Sequence, residues 1–453
     1  PFRQWKGLDS KFKIGAWVDA KQRDFLARRF DFTYASGVPL PTGRDNPLNL
    51  DTIGGGISAA NGGTAPFFLV DRLREQDNYR AWSRNLAGYA LLELPFVSWF
   101  KLTGGLRLES NVIDVTPYDL YNPDVASDLG GAHLVDLDWL PAAALIFSPA
   151  LPEGAGDFNI RLGGSKTLAR PEFRELAPFQ FRDYVGGFSK QGFPDLKSTK
   201  IWNADLRFEW FPRKNEVVAL SVFFKQFTDP IEAVVGASDN PTASWANAQG
   251  ALNGGFEFEF RKSLDFLAPK DKTEARDVLR DLSLGANFAY IYSRVQLGPP
   301  CYLPGQSSDL PGAVEQENCR PEYQVSTSRV RPLQGQSPWI INAYIDYDND
   351  DSGTNVRLMY NAFGPYISQV QGLGLPDTYQ QPMHQVDLTA SQRLLAYKRN
   401  EWGDLRNQLL LNFEIENMIN TRDRQTLGRG IDGPIAYQTR DGVSIKLGLT
   451  WKY

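Results

Sequence analysis

The chain has 453 residues, a formal charge of −5, 13% aromatic residues and 40 glycines. That charge balance supplies no concentrated basic face, so nucleic-acid binding is set aside. No apolar run approaches the roughly 18 residues of a membrane-spanning helix. A mean hydropathy of −0.36 suits a soluble protein or a membrane β-barrel equally, because a barrel's water-facing side dilutes the average.

Pro1 follows neither an initiator Met nor a signal-like apolar core, so the expectation is a segment of a longer protein. From there, alternation of apolar and polar residues recurs in about fourteen segments. They lie near 10–34, 77–95, 99–113, 135–149, 156–170, 198–211, 216–229, 247–263, 280–296, 335–348, 354–371, 383–395, 406–420 and 441–453. In FKLTGGLRLE, Phe100, Leu102, Leu106 and Leu108 share a face. In IWNADLRFEW, Trp202, Ala204, Leu206, Phe208 and Trp210 do so. FEFEFR aligns Phe256, Phe258 and Phe260, and LSLGANFAYIY aligns Leu282 through Tyr292. WIINAYIDY places Trp339, Ile341, Ala343, Ile345 and Tyr347 together, with only Ile340 and Tyr344 interrupting the polar side. LLLNFEIEN aligns Leu409, Leu411, Phe413 and Ile415, and the chain ends on VSIKLGLTWKY with Val443, Ile445, Leu447, Leu449, Trp451 and Tyr453 in register.

The polar sides carry formal charge: Asp205, Arg207, Glu209, Glu257, Glu259, Arg261, Asp346, Arg357, Asp387, Glu414, Glu416 and Lys446. The opposite sides carry almost none. A charge on a lipid-facing position costs ~2–4 kcal/mol near the bilayer midplane, so this segregation reads as hydrocarbon on one face and water or protein on the other. Strands of ten or more residues match the ~9–11 that a tilted strand needs to cross a bilayer. A soluble sandwich or propeller would show shorter strands. Short connections (211–216, 348–353) tend to alternate with long ones (36–76, 171–197, 297–334, 421–440), as at the two rims of a membrane barrel. The expected fold is all-β: a transmembrane antiparallel barrel, with residues 1–453 forming one domain.

Residues that could carry chemistry are few. His133 and His384 fall at predicted loops or loop edges, and no Cys/His spacing offers a metal three or four ligands. Cys301 and Cys319 share one Gly/Pro-rich stretch, which fits a loop disulfide in an oxidising compartment; two unpaired thiols are the alternative. No nucleophile elbow and no phosphate loop is present, so neither an enzyme nor a cofactor is expected. Trp451, Tyr453, Tyr290, Tyr292, Trp339 and Tyr347 fit interfacial girdles. Tyr118, Tyr121, Phe188, Trp245, Tyr302, Tyr366 and Tyr379 are loop aromatics that could stack on a ligand or simply pack.

GSKTLARPEFRELAPFQFRDYVGG, followed by IWNADLRFEWFPRKNEVVALSVFFKQFTDPIE, NGGFEFEFRKSLDFL, PLQGQSPWIINAYIDYD, VDLTASQRL and the terminal GLTWKY, resembles the C-terminal barrel half of TonB-dependent outer-membrane receptors. The resemblance runs from about Gly88 to Tyr453. It implies a 22-stranded barrel in a Gram-negative outer membrane, of which about fourteen strands are here, with the plug and the TonB-contacting box outside this chain. It implies lipid, TonB and the barrel-assembly machinery as partners, and a small-molecule, glycan or peptide ligand bound by extracellular loops. Under it, Asp205, Arg207, Glu209, Glu257, Glu259, Arg261, Arg357, Glu414 and Glu416 become a lumen wall facing a plug. Leu449, Trp451 and Tyr453 become the signal read during assembly. A passive diffusion channel of about fourteen strands and a soluble carbohydrate-binding β-protein are the other two readings.

Overall fold

The computed structural model describes residues 1–4, 7–28, 30–34, 53–54, 67–71, 77–120, 130–181, 189–236, 242–268, 278–299, 301–302, 304–305, 312–315, 330–372, 374–396 and 408–452. Fourteen long strands form one antiparallel wall in chain order: β1 (Asp9–Phe25), β2 (Tyr79–Val97), β3 (Phe100–Pro117), β4 (Ala132–Phe147), β5 (Asp157–Ala169), β6 (Thr199–Phe211), β7 (Val217–Thr228), β8 (Gly250–Ser263), β9 (Leu282–Gln296), β10 (Trp339–Asn349), β11 (Thr354–Phe363), β12 (Met383–Ala396), β13 (Gln408–Glu416) and β14 (Ser444–Lys452). A two-residue strand, Phe2–Arg3, borders β1. It and β14 are not paired with each other, so the described sheet is open.

Each strand pairs with the next, so the chain meanders without crossovers. Register fixes which side chains share a face. One register line runs from Phe100 through Phe147, Ile160, Phe208, Leu220, Phe258, Phe288, Ile341 and Ala362 to His384. Phe100 opens β3 at the short-turn rim, whereas His384 lies twelve residues before Ala396, the short-turn end of β12. Twelve residues over nine strand steps, at about 3.3 Å per residue and about 4.8 Å per strand, give a tilt of about 40°, the tilt of a barrel wall.

Burial is inverted relative to a water-soluble protein. On the apolar face Leu447 is 73% exposed, Ile14 71% and Leu137 69%, while Glu109 and Glu209 on the polar face are below 9%. Wetting a large apolar side chain costs about 1.5–3 kcal/mol, so dozens of them exposed on one face require a hydrocarbon surround. Aromatics mark two levels on this face. Trp139 and Phe147, Trp202 and Trp210, and Trp339 and Tyr347 are each eight residues apart on one strand, which at this tilt spans about 20 Å.

The fourteen expected segments match the fourteen strands, with two ends redrawn. The first strand stops at Phe25, and Phe30–Tyr34 pairs instead with Phe67–Asp71 in a small separate sheet. The 354–371 segment stops at Phe363, where Gly364 and Pro365 intervene, and Tyr366–Gln371 enters another sheet. Proline has no N–H to extend a ladder, which explains the break.

That other sheet stands on the long-loop rim. Its eight strands, in spatial order, are Gln180–Phe181, Ser189–Gln191, Thr242–Asn247, Ile231–Val235, Tyr366–Gln371, Thr378–Gln380, Asp423–Leu427 and Ile435–Thr439. Four separate loops contribute two strands each, so the rim carries one joined layer.

Candidate functional site

Two features adjoin: the polar face of the wall and the loop sheet at its long-loop rim. On the wall, Arg207 is the hub. Its guanidinium donates to Glu209 at 2.7 Å, to Ser221 at 2.9 Å and to Glu259 at 2.8 Å, and Arg161 donates to Glu209 at 2.8 Å. Alternation puts all five on one face of β5 to β8, where each charge finds a partner. Further along, Arg357 holds Asp346 through two bonds of 3.0 and 3.1 Å and lies over the Tyr344 ring. Lys446 bridges Glu416 at 2.6 Å and Glu414 at 3.7 Å. An amide chain links Asn361 to Asn342 and Asn342 to Asn287. Asp205 and Glu257 share this face and are exposed, and Arg261 lines a cavity of about 690 Å³ with Arg207, Glu259 and Lys214. All nine residues expected on the wall therefore lie on its polar face by register.

A second charge cluster escaped the sequence reading. Arg170 reaches Glu109 at 2.7 Å and Asp138 at 3.7 Å, Arg107 donates to Glu109 at 2.5 Å, and Lys200 is 3.3 Å from Asp138. Arg107 and Glu109 follow the same parity as the residues already named, so that parity was the signal. Arg170 closes the TLAR tetrad, where the chain leaves β5 and turns back over the wall. There α1 (Phe173–Leu176) opens on a capping box between Glu172 and Glu175. Leu176, Ala177, Phe179, Phe193 and Leu196 then pack against Tyr79, Ala81, Ile113, Val115 and Ala132. Residues 170–181 and 189–198 of this loop are thus folded onto the polar face at the ends of β2 to β4.

The loop sheet is pinned at its centre by a buried ion pair. Arg331 donates to both carboxylate oxygens of Glu232, at 2.7 and 2.8 Å. Gln334 donates its backbone N–H to Glu232, accepts from Ala233 N–H and donates to the Ser368 carbonyl. Residues 331–334, from a fifth loop, are thereby sewn to two others. Beside it, Val234, Ala246, Ile367 and Val370 form an apolar cluster against Tyr379. Burial pushes the Asp377 carboxyl above its usual range, against the backbone N–H of Gln371 and nearby Arg331, which favour the ion.

The loop aromatics are placed as follows. Tyr118 is 7% exposed, donates to Asp24 at 3.0 Å and lies under Arg80. Trp245 stacks on Phe181 with ring centres 6.4 Å apart. Tyr366 packs beside Phe363, and Tyr302 follows Cys301 in a short two-strand pairing. Cys301 is fully buried and disulfide-bonded. Tyr121, Phe188, Cys319 and Tyr453 lie outside the described residues. Leu449 and Trp451 are exposed on the apolar face of β14. His133 and His384 are each the second residue of a strand, bonded to Asp114 and Tyr360, and no group of three or more metal-type ligands occurs among the described residues.

Comparison with known proteins agrees with this geometry. The copper transporter OprC superposes with a TM-score of 0.54 at 14% identity, covering 98% of this chain and 54% of its own. The siderophore receptor PiuA from Acinetobacter baumannii gives 0.56 at 14% identity, covering 98% and 53%. This chain therefore spans about half the length of the receptors whose fold it shares. No curated protein matches the sequence. The family described as TonB dependent receptor-like, beta-barrel matches residues 6–418, and the chain belongs to that family of bacterial outer-membrane proteins.

Proposed function

We propose that this wall is the later part of a 22-stranded TonB-dependent transporter, in which a scarce solute is taken up at the loop sheet and passed through the lumen with energy from the inner membrane. In this reading the terminus of β14 is periplasmic, the long loops are extracellular, and the charged face lines the lumen. The observation that carries the reading is one joined layer at the long-loop rim next to a polar, ion-paired wall. Unpaired strand edges are not tolerated in hydrocarbon, which supports further strands closing the open sides. Polar, wet contacts between wall and plug would part at lower cost than apolar ones. The fold is shared with a copper transporter and a siderophore receptor, so a metal ion or metal chelate is the first ligand class to test.

The test is uptake by cells carrying this protein as their sole candidate receptor, with and without TonB. Uptake should vanish without TonB. Replacing Glu257, Arg261 and Glu414 with apolar residues should lower it while the protein still assembles. Uptake indifferent to TonB would leave a passive channel as the better account.

A further inference from the structure

The wall is slit between β4 and β5. β4 pairs with β3 along its whole length, from Ala132 to Phe147, but its ladder with β5 covers only Ala142–Phe147, beginning at the Ala142 and Ser165 pair. Toward the long-loop rim, Ala132–Pro141 pair with β3 alone and Lys166–Ala169 with β6 alone. Pro141, which has no N–H to offer a partner, stands at the base of the slit. The slit is deep. Ala142 lies three residues past Trp139 toward the short-turn rim, about 10 Å along the strand, so the slit passes the aromatic level that Trp139 marks and enters the apolar band. Among the described residues, side chains alone span it. Lys200 has the outward parity of Trp202, and Asp138 the inward parity of Glu109, yet ammonium and carboxylate meet at 3.3 Å, a contact that runs through the wall. Arg170 joins Asp138 from the inner side at 3.7 Å. Asp138 is 1% exposed and neither of its oxygens has a hydrogen-bond partner among the described residues, so charge holds this bridge.

On the inner side the slit ends in a cavity of about 360 Å³, which shares Leu140, Ala142 and Ser165 with it and continues over Ala144 and Gly163. Of the residues lining this cavity only Arg107 and Asp205 are charged. Arg161 and Arg207 crowd the adjoining part of the polar face, whereas glycine and alanine here leave room on the scale of a small-molecule site. On the outer side Leu137, Trp139 and Leu162 are 69%, 56% and 49% exposed. Apolar surface thus lies on both sides of a gap that a poorly bonded ion pair closes.

We propose that the slit is a lateral port through which the hydrocarbon chain of a single-chain amphiphile, dissolved in the outer leaflet, reaches the inner cavity. The proposal rests on the reading that the polar face lines the lumen. Parting Lys200 from Asp138 opens the port, and the chain passes between β4 and β5 to lie along Leu140, Ala142, Ala144 and Gly163. Backbone without ladder partners is tolerated at membrane depth where it lines a cavity, and the chain covers the two free strand edges. A solute arriving through the aqueous lumen needs no opening in the wall, so the slit favours a ligand already in the membrane.

The test uses the whole receptor, purified from outer membranes and reconstituted in liposomes with dodecanoic acid that carries a photoactivated diazirine at the far end of its chain. After illumination, labelled residues are mapped by mass spectrometry. Label should appear on the inward residues Leu140, Ala142 and Ala144, and excess plain dodecanoate should compete it away. Gly163→Phe should lower that label about tenfold. A Cβ at Gly163 meets nothing nearer than 4.0 Å, so the ring can fill the cavity without striking backbone. Gly163→Ala should keep the label, and Asp138→Asn, which weakens the closure, should raise it. Leu447, outward and on another strand, should be labelled alike in every variant. Label confined to outward residues, or unchanged by Gly163→Phe, would overturn the proposal. Equal labelling of the cavity by the water-soluble hexanoic analogue would do the same, by assigning it to solutes of the lumen. Labelling needs no TonB, so its outcome is separate from that of the uptake test. Heat-modifiable migration on gels checks that each variant is folded.

Discussion

Glu232 and Arg331 are each at most 3% exposed, and removing either would strand the other's charge in the loop sheet. Neighbouring Asp377 is strained in the opposite sense, because burial holds its carboxyl above the usual range. With the native pKa raised over the unfolded one, the stabilisation Asp377 lends is full below the ordinary carboxylate pKa and is lost as pH rises through the raised value. Asp377→Asn, uncharged and still able to accept from Gln371 N–H through Oδ1, should slow hydrogen exchange of residues 366–380 at neutral pH. The difference from wild type should close as pH falls through the carboxylate range. None of these three residues was legible in sequence, since their meeting depends on three loops well separated along the chain. Tyr344 shows the converse. It broke the polar alternation of β10, and the structure lays its ring over Gly285, where any Cβ would come within 2.2 Å of it. Tyr89 covers Gly15 in the same way, so a glycine on one strand makes room for an aromatic on the next.

Alternation made the strands readable because the membrane enforces it residue by residue. Each outward slip of a charge is penalised, so period two survives over ten or more positions. The penalty predicts opposite outcomes for adjacent residues of β14. Leu447→Arg should destabilise the folded protein by ~2–4 kcal/mol, measured by urea unfolding in liposomes, whereas Lys446→Leu on the other face should cost little beyond its bridge to Glu416. Equal effects would mean that the two faces are not in different solvents. Strand ends were harder to read. The hydrophobic pattern of 354–371 continues past Phe363 because Tyr366–Gln371 is itself a strand, half-buried in a different sheet. Parity recovered the polar face of the wall, including Arg107 and Glu109 in hindsight. It could not reveal which partner each charge takes, since partners come from neighbouring strands whose register the sequence does not state.

At the scale of the molecule, the loop sheet makes one object of loops that the sequence presents as independent. Val235 and Gln371 are direct partners across the junction of two of them. Cysteines at both positions should lie within disulfide range, and oxidation should lock the layer. If the layer opens during transport, uptake should fall to background on oxidation and return with reductant, with the single-cysteine variants unaffected. Undiminished uptake by the locked protein would place the path elsewhere. The same interleaving bears on immune recognition: adjacent strands at three junctions of the layer come from different stretches of chain. With the layer extracellular as proposed, antibodies raised against whole cells should see discontinuous epitopes, and a linear peptide copied from any one of these loops should make a poor vaccine antigen.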